Sequence, residues 1–417
     1  MSQSNQNPDD LRQKFHPSLI ITSLRYRAFL LVWLGSVSEH VGEFMQIAAI
    51  LWLVNEMTHS ALMLTVVGSC RYIPLIILPL VAGVVTDRVD RRGLLIAVLV
   101  GAALLSICLA LLVMAGVLAL WHLIVINMLG GVLTAFNHPA RFAIVPNLVR
   151  KEHLLNAISL DAISVQAARL LGMLMVGYLL ALFGSVPVFI LRALGALLAV
   201  FWLLQAQIPP TPPSTRERTP WHNLMDGFRY LRTNTVILGL VTMFIIPMLA
   251  MQVYTDFMPI FANEILRVGA IGYGYFQGAP GLGALIALVV LTILTYYRRK
   301  VKLLIGAGVI LGIGLTGFST SRWVFLSLPL LVVIGGMITI FMAVNTTLIQ
   351  NAIPDEVRGR VMSLREIARG TGPTGSMLFG LIAHYTGAPF SLGLLGGICL
   401  LASLSLVYLT PRLKGVE

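Results

Sequence analysis

An all-α membrane protein, with twelve transmembrane helices in two six-helix bundles and both termini cytoplasmic, is predicted by three observations on this chain. The first is composition: 57% of the residues are hydrophobic and only 11% charged, with a mean hydropathy of +0.88, far from the balance of a soluble domain. The second is the placement of lysine and arginine. Taking alternate connections as one side, 21 of the 29 fall in the tails and in the loops after spans 2, 4, 6, 8 and 10, against Arg267 and Arg322 on the other side. Positive residues stay cytoplasmic, so both ends are assigned inside. The third is internal repetition about a proline-rich centre. Leu94-Leu95-Ile96 matches Leu303-Leu304-Ile305, Ile158-Ser159-Leu160 matches Met362-Ser363-Leu364, and the Gly172–Gly177 pattern returns at Gly375–Gly380, all in one order.

The elements follow from these. A cytoplasmic tail occupies 1–27; it is polar, has no apolar signal-peptide core, and the first span is long enough to be read as retained. Apolar stretches of about 20 residues or more suit spanning helices. They lie near 28–55, 60–82, 93–116, 120–146, 156–183 and 186–208, the first bundle. The segment 209–234, opening Pro209-Pro210-Thr211-Pro212-Pro213, is stiff and incompatible with a helix, hence a cytoplasmic linker. Trp221 to Arg232 within it has the pattern of a short amphipathic surface helix. The second bundle, 235–409, has spans near 235–262, 271–296, 303–320, 325–350, 357–384 and 389–409, and a tail at 410–417 closes the chain.

Charge and motif content narrow the function. The net charge of +12 follows from topology and attraction to anionic lipid heads, so no nucleic-acid partner is called for. Cys70, Cys108 and Cys399 all fall inside spans and suggest neither a disulfide nor a metal framework. No phosphate loop, no Gly-x-Ser-x-Gly and no second ligand at metal spacing for His40, His122, His138 or His384 is present, so neither an enzyme nor a cofactor is expected.

Ionisable residues at membrane depth are functional by default. Glu39 and Glu43 share one face of span 1 at i,i+4 spacing, and two like charges in low dielectric suit the holding of a proton. Arg71 in span 2 could neutralise either one; the alternative is a permanent ion pair joining spans 1 and 2. Arg169 lies mid-span, and Asp161, eight residues earlier, is its nearest same-helix carboxylate. An unpaired Arg169 facing a cavity favours anionic or zwitterionic substrates over lipophilic cations. Gln252, Asn345 and Gln166 are polar groups at membrane depth, serving either as ligands or as helix–helix hydrogen bonds; Gln252 and Asn345 join Arg71 and Arg169 as candidate substrate residues. Asp161, Arg365 and Arg369 read as gate or interface groups, Arg141 and Arg192 as arginines snorkelling from span ends, and Asp256 as an outer gate or a solvated cap. The turn Gly83-Val84-Val85-Thr86-Asp87-Arg88-Val89-Asp90-Arg91-Arg92 packs five charges into six residues between two greasy segments and must sit at a membrane surface. Gly83 allows close helix approach and Asp87 can face the positive end of another helix.

That turn resembles the signature Gly-x-x-x-Asp-Arg-x-Gly-Arg-Arg/Lys of the major facilitator superfamily, with Asp90 where Gly is usual. Pro139–Val149, Leu154-Leu155-Asn156-Ala157 and Gly42-Glu43 resemble the bacterial branch of enterobactin-exporter and macrolide-efflux-like proteins. The resemblance covers essentially the whole chain. It implies that Asp87 clasps the start of span 11, where Asp355 and Arg358 stand, when the cytoplasmic side is closed, with Gly83, Arg88, Asp90, Arg91 and Arg92 completing that gate. It also favours Glu43 as the proton-coupling acid. Two drug-antiporter motifs are altered. Asn127-Met128-Leu129-Gly130-Gly131 lacks the fourth-span Arg, and Leu171-Gly172-Met173-Leu174 lacks the fifth-span Pro. The expectation is a monomeric secondary transporter of the bacterial inner membrane, exporting a small amphiphile (a drug-like compound or a siderophore) against protons by alternating access. The alternatives are a flippase for lysophospholipid or another amphiphilic lipid, and a transporter-like receptor that moves nothing.

Overall fold

The computed structural model describes residues 22–78, 85, 89–208, 229, 235–294, 299–353, 361 and 370–413. The described chain is helical: α1 (Arg27–Thr58), α2 (Ala61–Cys70), α3 (Ile73–Ile77), α4 (Arg91–Met114), α5 (Leu120–Ile144), α6 (Leu154–Phe183) and α7 (Val186–Gln205) precede the linker. After it come α8 (Thr235–Met243), α9 (Ile245–Ile260) with a π-turn at Phe261–Ile265, α10 (Gly269–Ile293), α11 (Lys300–Thr320), α12 (Val324–Ala352), α13 (Thr371–Thr386) and α14 (Ala388–Leu413). Ten helical segments among the described residues are long and apolar enough to cross a membrane. The linker apart from Arg229, the surface helix expected within it, both tail ends and the first turns expected of span 11 lie outside the described residues.

Two expected spans are each divided, and a proline explains both breaks. Pro74 has no N–H for the carbonyl of Cys70, so α2 ends there, a tight Tyr72-to-Ser69 bond of 2.9 Å follows, and α3 starts anew. Pro247 leaves the Met243 carbonyl free in the same way, at the α8–α9 break.

Short connections make consecutive helices antiparallel neighbours. Before the linker, α1 packs on α6 and α7, and α4 on α5 and α7; after it, α11 packs on α12 and α14, α10 on α12, and α9 on α13. The two halves meet through α6 against α10 and α2 against α13, toward the face carrying the short loops at 59–60, 184–185, 266–268 and 387. This seam is tight. A Cβ on Gly177 would lie 2.8 Å from the Ala270 carbonyl oxygen and from the Gly274 Cα, so only small residues allow this backbone approach. Tyr273 buries its ring 5.2 Å from that of Trp52 and donates to the Ala48 carbonyl (2.9 Å). Ser69 donates to the Pro373 carbonyl (2.6 Å) and lies 3.2 Å from Ser376. At the loop tips, His59 stands 3.3 Å from Glu264.

Candidate functional site

Glu39, His40 and Glu43 occupy one stretch of α1, and the helices around it aim three arginines at them. Arg71, at the α2–α3 break, ion-pairs with Glu43 and donates to Thr134 on α5 (3.0 Å). Arg192, two turns into α7, reaches Glu39 at both the carboxylate (3.1 Å) and the backbone carbonyl (3.3 Å). Arg141 on α5 joins His40 to Asp161 of α6. His40 Nδ1 lies 3.3 Å from Glu39 and 3.5 Å from Glu43. A guanidinium can only donate, so His40 Nε2 accepts from Arg141 and Nδ1–H is left to bond a glutamate. The result is one hydrogen-bonded circuit through five helical segments, with three carboxylates balanced by three guanidiniums around a neutral imidazole.

Burial gives the circuit its chemical weight. Glu39 and Arg192 are 5% and 6% exposed, and removing one partner would leave the other charge stranded in low dielectric. A small cavity between α1, α4, α5 and α7 runs from Val32, Leu95 and Leu203 up to Glu39 and Arg141. Ligand atoms of Glu39, His40 and Glu43 lie within 4.8 Å of one another, yet each already bonds an arginine. A metal cation would have to break those pairs, whereas a proton need only take over one of them.

Several sequence expectations change here. Arg192 and Arg141 do not snorkel: inside the first half Arg192 bonds the Glu39 carboxylate and Arg141 that of Asp161. Arg71 serves Glu43 alone, and Glu39 has its own arginine. His40, which has no second ligand at metal spacing in the sequence, is the junction. Its partner Arg141 is 101 residues away, a pairing that no local spacing could reveal.

The other candidates divide between seam and scaffold. Arg169 crosses the seam, its guanidinium donating to the Tyr254 hydroxyl (3.1 Å) and lying 3.9 Å from the Met251 sulfur; its Nε has no partner among the described residues. Gln252 donates to Asp256 one turn on (2.9 Å). Tyr72 lies in the combined field of Arg71, Asp256, Arg169 and Glu43, between circuit and seam. Asn345 is fully buried and ties α12 to the Leu240 carbonyl of α8 (2.9 Å). Of the turn at 83–92, Asp90 caps α4 by accepting from Gly93 N (2.8 Å), and Arg92 donates to the Leu204 carbonyl at the end of α7 (2.6 Å). An aspartate thus stands in the signature's glycine position because it begins a helix. Gly83, Asp87, Arg88, Asp355 and Arg358 lie outside the described residues, as do Arg365 and Arg369.

Comparison with known proteins follows the same lines. The family described as Transmembrane secretion effector matches residues 20–417. The staphyloferrin A transporter of Staphylococcus aureus is 24% identical over 402 residues, covering 94% of this chain and 96% of its own. The macrolide efflux protein A of Streptococcus pyogenes is 25% identical, covering 86% and 90%. The enterobactin exporter EntS of Shigella boydii is 27% identical, covering 85% and 86%. In fold, the chain is similar to a bacterial homologue of the human lysosomal transporter Spinster in an inward-facing, occupied conformation. The TM-score is 0.76 at 12% identity, over 93% of this chain and 97% of that one.

Proposed function

The chain belongs to the transmembrane secretion effector family of major facilitator transporters, and from that premise we propose that it exports a small amphiphilic, electron-rich molecule in exchange for protons. It is a multi-pass bacterial membrane protein and a transporter, not an enzyme. In our reading twelve spans form bundles at 28–208 and 235–409 of a monomer in the inner membrane. Both termini are cytoplasmic, the short-loop face is outermost, and the Gly83–Arg92 turn closes the inner side against Asp355 and Arg358. The charge asymmetry of the loops supports this orientation.

The observation that carries the proposal is the neutral circuit around Glu39, His40 and Glu43. A proton on Glu43 cancels the charge holding Arg71. Arg71 lies two positions after the seam residues Gly68 and Ser69, at the α2–α3 break, so freeing its guanidinium loosens the segment on which outer closure rests. Proton binding and seam opening are thereby mechanically joined. Arg169 supports the substrate class: its guanidinium meets only a phenol and a thioether among the described residues. A carboxylate or phenolate would be a stronger acceptor for it. Two relatives are named for siderophores and one for macrolides.

The test is flux in proteoliposomes under an imposed pH gradient, screened over siderophores, macrolides and lysolipids. Wild type should move an anionic siderophore or macrolide with the gradient. Glu43→Gln should fall to the rate of empty liposomes while retaining substrate exchange at equal pH. Gradient dependence that is unchanged in both Glu43→Gln and Glu39→Gln removes span 1 from the mechanism.

A further inference from the structure

We infer that Asp256 is a second proton-binding site, lying in the seam between the halves, and that the seam closes only over its protonated form. The site goes beyond the span 1 circuit: it lies on the other half of the chain, and its ligand is a proton taken from water at the short-loop face.

Asp256, on α9, is 0% exposed. One carboxylate oxygen accepts from Gln252 (2.9 Å), and the other has no hydrogen-bond partner among the described residues. No lysine, arginine or histidine among those residues forms an ion pair with it, in contrast to Glu39, Glu43 and Asp161, each of which has an arginine. Besides the Gln252 amide the carboxylate has beside it only the Ser376 hydroxyl, which is also bonded to the Pro373 carbonyl (2.9 Å), and no cation, so it is poorly compensated as an anion. As a neutral acid it keeps the Gln252 bond and gains a hydroxyl, which can donate to the Ser376 oxygen beside it.

The surroundings tie this proton to closure. The opposite half presses directly on the carboxylate: a Cβ on Gly68 of α2 would lie 2.6 Å from its bonded oxygen. The next residue, Ser69, makes the seam bonds to Pro373 and Ser376. Closing α2 onto α9 and α13 therefore strips water from Asp256, and parting them readmits it. Among titratable groups, Tyr273 of α10 and Tyr72 of the α2–α3 break sense the Asp256 charge, and Tyr72 in turn senses Arg71, Arg169 of α6 and Glu43 of α1. Glu264 of the π-turn stands by His59 at the loop tips, and α14 carries the buried Cys399. Described α8 and α12 carry no titratable residue, and His384 of α13 is exposed. Arg71 is engaged by Glu43 and Arg169 by Tyr254, so neither ion-pairs with Asp256.

The experiment places Thr65→Cys, buried in the seam opposite Gly380, in a background with Cys70, Cys108 and Cys399 replaced by serine. Labelling by a membrane-impermeant maleimide from the short-loop face is followed from acid to alkaline pH, each rate divided by that of an exposed control cysteine. We expect protection at acid pH and a rise of about tenfold in the normalised rate at alkaline pH, a shift equivalent to about 1.4 kcal/mol. Asp256→Asn, an isostere of the neutral acid, should stay protected throughout, whereas Glu43→Gln, which releases Arg71, should label faster at every pH yet keep the rise from acid to alkaline pH. A parent without a pH response, or a response surviving in Asp256→Asn, overturns the inference, as does a response lost in Glu43→Gln but kept in Asp256→Asn. If Asp256→Asn does not fold, Asp256→Ser, equally unable to ionise, is measured against the same outcomes.

Discussion

Within the first half of the chain, Glu39, Glu43 and Asp161 stand opposite Arg192, Arg71 and Arg141, with His40 closing the circuit. Along the seam between the halves, Arg169 rests on a tyrosine hydroxyl and Asp256 on a glutamine amide. Both regions are buried and polar, but they use charge differently. The circuit is compensated locally and survives any movement of one half against the other, because all its members ride on the first half. At the seam, Arg169 is compensated by what the opposite half brings, whereas Asp256 has only the glutamine of its own helix and the Ser376 hydroxyl, and no cation among the described residues. A transporter that rocks its halves needs both: a fixed place for the coupling charge, and groups whose surroundings change with each cycle.

The contrast is broken most severely at Glu39 and Arg192. Arg192→Met should destabilise the detergent-purified protein by about 3–5 kcal/mol, the cost of stranding a buried partner. The double variant with Glu39→Gln should recover most of that loss in thermal unfolding. A loss below about 1 kcal/mol, as for an exposed pair, would mean that the circuit is not compensated in the way described.

At the seam the effect should appear in binding and leave stability nearly untouched. Arg169→Ala is expected to weaken competition by anionic compounds about tenfold, or roughly 1.4 kcal/mol, and to leave that by lipophilic cations unchanged. Equal inhibition by both classes, indifferent to the substitution, would return Arg169 to a structural role. The smallest effect should come from the scaffold at the membrane surface: Asp90→Ala removes the α4 cap for about 1 kcal/mol, read as a lower melting temperature with transport per folded molecule intact.

Much of the framework was legible because the bilayer imposes it. Span positions followed from apolar length, and Glu39, Glu43, Arg71 and Arg169 stood out because ionisable groups at that depth demand a reason. Partners were less legible. Arg192 reads as a snorkelling residue because its position near the start of an apolar stretch is shallow, whereas α1 and α7 pack closely enough to bury it. The missing fourth-span arginine has a three-dimensional answer that no one-dimensional motif contains. Asn127 donates to the Val67 carbonyl of α2 (2.7 Å), and the Arg71 guanidinium from that same segment lies against Gly130. The seam glycines were visible as part of a repeat, but which helix each would meet depends on how the halves dock.

The Glu39–Arg192 bond joins residues 153 positions apart, and the chain is made from its N-terminus. The first helix is therefore delivered to the membrane while the residue that will neutralise it is still untranslated. Arg71 arrives early enough to serve Glu43, only 28 positions later, but Glu39 must wait for α7. During that interval the young helix carries an unmatched acid, best accommodated near the water-filled insertion machinery or by borrowing a proton. The expected consequence is that release of the first half into lipid becomes favourable only once α7 has arrived, so a chain truncated before Arg192 should remain a substrate for quality control.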